Sequence, residues 1–401
     1  MDNSDNKQNK RMLMVSSLNI KPFGKKGSTP AIEEAVQQYH ENGWKITFIG
    51  GFNTTDKEFD FDVKAYGLPL GWFRGLSAYA SIGWLIRICY WVLFQILGSV
   101  LIVRSLHKEE IDLIYSWDVY AVSMCKLWSV VFNKPVVSRI LGTWDYYTKC
   151  DSIFWRLWYW PLTVGLQVPV DLIIPTNDGT RTDKVLDYLG VSSNLLFLRN
   201  GIDKDAFVES IPTRSYSNKK ALALSRLESG KGIELAIKAM PEVLEEHPEA
   251  ELVIVGDGSL RDDLERLCRK LGVKSHVDFK GRVPHDRVQD FYANSQVFLS
   301  LQQVSNVGNT LIEAMYTASC IITINNGGTG ELISDDKNGM LIPTHDMQLN
   351  LTSKIIEALH TPSKCAELGE NAYQSAQEEI PTWEERMDQE ITTVNQIVNE
   401  N

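Results

Sequence analysis

Leu252-Val253-Ile254-Val255 is an unbroken apolar run, so a strand built from it offers no polar face to water and must be covered on both sides. Comparable β-rich runs recur along the chain. Met12 to Ser16, Lys45 to Gly50, Asp112 to Tyr115, Pro135 to Ile140 and Asp171 to Pro175 are strand candidates in the first half, separated by helix-length segments. After the polar stretch Arg214 to Lys220 the rhythm restarts with Ala221 to Ser225, Glu251 to Gly256, Val277 to Gly281, Gln296 to Ser300 and Cys320 to Ile324. Strand and helix alternating in this way predict an α/β chain of two Rossmann-like, doubly wound units with parallel sheets. The 401 residues exceed the roughly 250 to 300 at which one hydrophobic core stops growing, which makes two domains the default. The expected organisation is a polar tail over 1–10, a first domain over 11–205, a linker over 206–218, a second domain over 219–380 and a C-terminal helix over 381–401. That helix reads as solvated, with Trp383 as its one large anchor.

Composition narrows the function classes. With 44% hydrophobic and 23% charged residues the chain is globular rather than disordered. Its 40 basic and 51 acidic residues leave a formal charge of −11, which disfavours nucleic acid as the main partner. Six cysteines, Cys89, Cys125, Cys150, Cys268, Cys320 and Cys365, are far apart and form no CxxC pair, so they read as buried thiols in a reducing compartment, with no metal site among them. No apolar core of a secretory leader follows the polar start, and the cytoplasm is the simplest address. Ten of the eleven tryptophans lie at or before Trp160. Between Arg87 and Arg104 runs the uncharged segment Ile88 to Val103, shorter at about 1.5 Å per residue than the ~30 Å hydrocarbon core. It reads first as a helix buried beside the first sheet. The sharper reading is a surface that docks on the inner face of a membrane or grips a lipid-linked acceptor, extended by Phe154 to Leu162.

Three segments carry the chemistry. Ser225-Arg226-Leu227-Glu228-Ser229-Gly230-Lys231-Gly232 joins a strand to a helix starting near Gly232, and places two cations where doubly wound sheets bind ligands. Arg226 and Lys231 there suit the two phosphates of a nucleoside diphosphate. Ser305-Asn306-Val307-Gly308-Asn309-Thr310 precedes Leu311-Ile312-Glu313-Ala314-Met315, a polar loop running into a helix whose first amides face an anion, with Glu313 one turn in and able to accept from a ribose diol. Gly327-Gly328-Thr329-Gly330-Glu331 makes a further glycine-rich strand-to-helix turn. The histidines, His285 included, sit in separate polar contexts and read as isolated surface residues.

In this order and spacing the residues resemble the second domain of retaining nucleotide-sugar glycosyltransferases of the group-one type, which have the GT-B architecture. The resemblance runs through Arg226 with Lys231, Val255-Gly256-Asp257-Gly258, Phe279-Lys280-Gly281-Arg282-Val283-Pro284, the helix start from Gly308 to Met315, and the Gly327 to Glu331 turn. It implies two Rossmann-like domains facing a cleft, with the C-terminal helix crossing back to the first. It also implies a metal-independent hexosyltransferase acting with retention on a glycan or lipid-linked acceptor, as in polysaccharide biosynthesis, with no cofactor. The donor is a nucleotide sugar, a UDP-sugar ahead of a GDP-sugar. Arg226 and Lys231 would hold the diphosphate, helped by Gly256, Ser305, Asn306, Gly308, Asn309 and Thr310. Glu313 would hold the ribose, and Arg282 with Val283 would line the base. On the acceptor side it points to Gly24 and Gly27 in the first glycine-rich turn, and to Arg139, Thr143 and Asp145, the last as a base.

Two positions depart from the family pattern. Ser305 stands where the first of two glutamates is customary, and Leu141 where a histidine is. These departures keep open a catalytically weakened binding or scaffold protein, and a nucleotide-sugar epimerase of the same architecture remains as a third reading.

Overall fold

A computed structural model describes residues 10–18, 30–51, 63–70, 83–143, 146–149, 151–203, 216–304 and 307–400. The chain divides into two compact units. The first comprises Met1–Thr176, Thr182–Leu198 and Trp383–Asn401, and the second Asn177–Arg181 and Arg199–Thr382.

In the first unit the elements run β1 (Arg11–Ser16), α1 (Pro30–Glu41), β2 (Lys45–Gly50), β3 (Val63–Gly67), α2 (Gly83–Lys108), β4 (Leu113–Ser116), α3 (Val122–Phe132), β5 (Val136–Ile140), α4 (Tyr146–Lys149), α5 (Ile153–Trp158), α6 (Trp160–Gln167), β6 (Leu172–Pro175), α7 (Thr182–Tyr188) and β7 (Asn194–Leu195). The second contains β8 (Lys220–Leu224), α8 (Ile233–Glu246), β9 (Glu251–Val255), α9 (Arg261–Lys270), β10 (Val277–Gly281), α10 (Val288–Ala293), β11 (Val297–Ser300), α11 (Asn309–Tyr316), β12 (Cys320–Ile324), α12 (Thr329–Leu332), β13 (Met340–Ile342), α13 (Met347–His360) and α14 (Pro362–Glu379). The last helix, α15 (Trp383–Glu400), returns to the first unit.

Both sheets are parallel throughout, ordered β3-β2-β1-β4-β5-β6-β7 and β10-β9-β8-β11-β12-β13. Strand order therefore reverses between β1 and β4 in the first unit and between β8 and β11 in the second, and a crevice opens at the carboxyl ends of such strand pairs. Core residues cover both faces of each sheet, as unbroken apolar strands require. In the first unit, Leu13, Val15, Ile114 and Val136 meet α2, α3 and α6 on one face. Met12, Met14, Leu113 and Val137 meet α1 and α15 on the other.

Helix α15 corrects the expectation of a solvated segment with one anchor. Arg386, Met387, Glu390, Ile391 and Val394 form a buried face at helical spacing, and two of the five are charged, which hid the stripe. Arg139 is corrected with it. The two-residue period of β5 puts Arg139 on the same face as Val137, under α15, where it is fully buried and cannot serve an acceptor. Its Nη1 lies 3.2 Å from Oε2 of Glu390, and Nη1 of Arg386 lies 2.8 Å from the same oxygen. The hydroxyls of Tyr39 and Tyr115 donate to Oε1 at 3.2 and 2.6 Å. The arginines hold the Glu390 carboxyl below the usual carboxylate range despite its burial.

Helix α2 is longer and more open than expected. Only 22% of its apolar window, Ile88–Lys108, is buried. Among the described cysteines Cys89 is exposed, whereas Cys125, Cys268, Cys320 and Cys365 are buried as expected.

Candidate active site

The second unit gathers most of the described donor-side candidates at the carboxyl ends of its strands. Ser225 follows β8, and the turn it opens ends at Gly232, the left-handed N-cap of α8 (φ 73°). A Cβ at Gly232 would stand 2.3 Å from the Leu301 carbonyl oxygen, so the turn lies directly against the chain leaving β11. Two bonds tie these loops together: Gln303 N donates to Gly230 O at 3.0 Å, and Lys231 Nζ donates to Gln302 Oε1 at 2.6 Å. Gln302 in turn donates to Thr310 Oγ1 at 3.4 Å. Lys231, Gln302 and Thr310 thus form a polar line across the β8/β11 switch point, ending at the first turn of α11.

Arg226 is exposed, but its backbone is fixed. Gly256 has φ 131°, and a Cβ there would lie 1.8 Å from the Ser225 oxygen, which only glycine avoids. Leu227 N donates to Asp257 O at 3.1 Å. Glu228 accepts from Ser259 N and Oγ at 3.1 and 2.6 Å, and these bonds hold its carboxyl below the usual range. Burial and the Arg226 charge lower the Lys231 pKa, while Asp178 opposes them. An anion placed between the two cations would raise the Lys231 pKa again.

Glu313 sits in α11, 7% exposed. Its Oε1 pairs with His285 Nε2 at 3.2 Å, and its Oε2 accepts from the Tyr292 hydroxyl at 3.3 Å. Tyr292 also donates to the Thr310 carbonyl at 2.9 Å, fixing the helix start. The Glu313 bond raises the His285 pKa, opposed by desolvation and supported by the charges of Asp286 and Asp203. His285 is therefore not an isolated surface residue. It lies on the loop after β10 that also carries exposed Arg282 and half-buried Val283. Asn309 accepts from Asn200 Nδ2 at 3.1 Å, and Val307 N donates to the Asp178 carbonyl at 3.0 Å. Gly308 has φ −91°, open to any residue, so its backbone angles do not demand glycine.

Sequence reasoning missed Gln302, His285, Tyr292 and Asp178. The available signal was position: each lies in or beside a segment following a strand. Ser305 and Asn306 lie outside the described residues.

At the first unit's switch point is a cavity of about 260 Å³ lined by Ser17, Leu18, Asp118, Val119, Leu141 and Thr143, among others. Asp118 Oδ2 accepts from Ser16 Oγ and Ser17 N at 2.8 and 2.5 Å, and Oδ1 from Tyr120 N and Ala121 N at 2.9 and 3.2 Å. Burial raises its pKa. Thr143 lies 3.3 Å, oxygen to oxygen, from the Thr182 hydroxyl. Of the acceptor-side candidates, Thr143 reaches the cavity and Arg139 does not, while Gly24, Gly27 and Asp145 lie outside the described residues.

Comparison with known proteins agrees with this geometry. Residues 209–375 match the family model of glycosyl transferases group 1. An uncharacterized glycosyltransferase of Methanocaldococcus jannaschii is 38% identical over 124 residues, 31% of this chain and 32% of its own. A GDP-mannose-dependent alpha-(1-6)-phosphatidylinositol monomannoside mannosyltransferase of Mycolicibacterium smegmatis is 27% identical over 195 residues, 45% of this chain and 51% of its own. These alignments span between a third and a half of the relatives' lengths. The structure of Anabaena HepE in complex with UDP superposes with a TM-score of 0.69 over 96% of this chain and 99% of that one, at 18% identity. Residues 209–375 are thus similar to the glycosyl transferases group 1 family, and the chain carries the two-unit α/β GT-B fold.

Proposed function

We propose that the protein is a metal-independent hexosyltransferase that moves a sugar from a nucleoside diphosphate to a glycan or lipid-linked acceptor, with retention of configuration and with uridine as the base. The observation that carries this reading is the polar line from Lys231 through Gln302 to Thr310, with Glu313 held one turn further along α11 by His285 and Tyr292. Arg226 and Lys231 would neutralise the departing diphosphate, and the first amides of α11 add partial positive charge beside it. Glu313 would accept from the ribose hydroxyls. The bond from the anomeric carbon to the phosphate oxygen breaks while the acceptor oxygen bonds to that carbon on the same face. Same-face entry sets the acceptor hydroxyl beside the departing oxygen, which takes its proton. The cavity of the first unit, walled by Leu18, Leu141 and Leu162, suits the apolar side of an acceptor. Asp118 would shape that cavity and not act as base, because both its oxygens are already engaged.

Support for the donor class comes from HepE, solved with UDP, and from the mycobacterial relative, which uses GDP-mannose. The test is a mass-shift transfer assay with UDP- and GDP-sugars over a panel of glycan and lipid-linked acceptors, comparing the wild type with R226A/K231A. The expected result is transfer from a UDP-sugar that the double variant loses. Turnover surviving in that variant would refute the assigned donor site, and nucleotide binding without any transfer would favour the scaffold reading that Leu141 and Ser305 keep open.

A further inference from the structure

The helical layer on one face of the first unit's sheet carries apolar side chains that none of the unit's described residues covers. Helix α2 commits one side to the core through Phe94, Ile102 and the buried Ser105, and Met124 of α3 lies against Gly98. Its opposite side presents Val92, Ile96 and Val100, the last two 56% and 61% exposed. Neighbouring α3 adds Leu127, Val130 and Val131 on its own outward side, with Val130 69% exposed. Both helices pack on the same sheet face, so the two stripes share the outer face of one layer. Trp91 of α2 meets Trp160 of α6 edge-on at 4.7 Å, extending the layer with indoles.

Charge identifies what covers this face. Helices α2, α3, α5 and α6 contain Arg87, Arg104, Lys108, Lys126 and Arg156 and not one aspartate or glutamate, in a chain with 51 acidic residues. Acids resume past the helix ends, at Glu109, whose carboxylate is taken up by Lys64 and Arg11, and at the exposed Glu110 and Asp151. An exposed aliphatic face on helices with cations and no acids matches the interface of an anionic bilayer. A second copy docked face to face would oppose like charges. Because α2 gives its inner side to the core, it meets a bilayer lying along the surface and not across it.

We propose that the outer face of α2 and α3 seats the protein on an anionic phospholipid surface, its aliphatic side chains entering the interface and its cations meeting the headgroups. This goes beyond the transfer reading and does not depend on it. The experiment is co-sedimentation of the full chain with phosphatidylcholine vesicles, with and without phosphatidylglycerol, for the wild type, I96D/V130D and R104E/K126E. The wild type is expected to bind the mixed vesicles more tightly than pure phosphatidylcholine. I96D/V130D should bind about 30-fold more weakly or worse, from the lost apolar burial alone. R104E/K126E should lose the preference for phosphatidylglycerol, and circular dichroism should show both variants folded. The proposal is overturned if the wild type binds neither vesicle, or if I96D/V130D binds as the wild type does. It is equally overturned if light scattering shows a wild-type dimer that I96D/V130D dissolves while vesicles go unbound. Donor binding should be the same in all three proteins, which separates failure here from failure of the transfer reading.

Discussion

Replacing Glu390 with glutamine tests how α15 is held to the first unit. The carboxylate is fully buried with two guanidinium groups at 3.2 and 2.8 Å. At an effective dielectric near 20, each attraction is worth about 5–6 kcal/mol before desolvation is charged against it. Glutamine keeps the shape and can still accept from the arginines through its amide oxygen, turning its amide toward the Tyr39 and Tyr115 oxygens, but it leaves two buried cations without a counter-charge. Burial and the neighbouring Arg139 already lower the Arg386 pKa, so that crowding is present in the native protein. Removing one partner from such a group costs about 3–5 kcal/mol, a large part of the roughly 5–15 kcal/mol that holds a domain folded. Urea denaturation followed by tryptophan fluorescence measures it cleanly, because all eleven tryptophans lie in the first unit. Adding R386M to E390Q should restore part of the loss by removing one of the two uncompensated charges. The sign of the pH dependence is also set. Since the Glu390 pKa is lowered in the fold, its contribution is complete above the unfolded value of about 4.3 and is lost as pH falls through the folded one, and E390Q should show a shallower acid dependence by that part. A loss below about 1 kcal/mol for E390Q, or a further loss on adding R386M, would refute this account of the cluster.

Two further predictions concern the donor side. The raised His285 pKa means that its bond to Glu313 stabilises fully below about pH 6.5 and fades as pH rises through the folded value; with the side chain 66% exposed the effect should stay under about 1 kcal/mol, and a thermal-shift series against pH should show it in the wild type and not in H285Q. Gly256→Ala forces a Cβ into the Ser225 oxygen at a φ that alanine avoids, so it should cost at least about 1–3 kcal/mol and abolish the thermal shift given by UDP; unchanged UDP binding would show that the Arg226 loop does not depend on this contact.

What the sequence made legible was whatever follows from local pattern. Unbroken apolar runs located most strands of both sheets to within a residue or two, and the βα turns after them put Arg226, Lys231 and Glu313 at the carboxyl ends of the second sheet's strands, where their roles are those proposed above. The shorter strands escaped for physical reasons. β3, VKAYG, is an edge strand whose exposure alternates, and β7 and β13 are only two and three residues long. Arg139 was misread because a charge at a strand end suggests a ligand, while its partner Glu390 lies 251 positions away. An arginine inside Val136-Val137-Ser138-Arg139-Ile140 demands a buried counter-charge. His285 was dismissed for the same reason, its carboxylate being 28 positions downstream on another element.

The two units use one topology for opposite ends, and the difference rests on how each switch point spends its charge. In the first, Asp118 is closed by four donors from the ends of β1 and β4, so its charge is consumed in building the loop and the remaining wall is largely leucine and valine. In the second, Lys231 donates to a neutral acceptor, Gln302, with the Asp178 charge acting on it through space, and Arg226 projects into solvent from a backbone pinned by Gly256. A neutral amide is a replaceable partner for an ammonium group, whereas a carboxylate at the same place would compete with an incoming phosphate. A lysine whose bonded partner among the described residues is neutral, beside an exposed arginine, is the arrangement that the proposed diphosphate site needs. Gln302→Glu should therefore weaken UDP binding while preserving the Lys231 contact, and tighter binding by that variant in a calorimetric titration would break the argument.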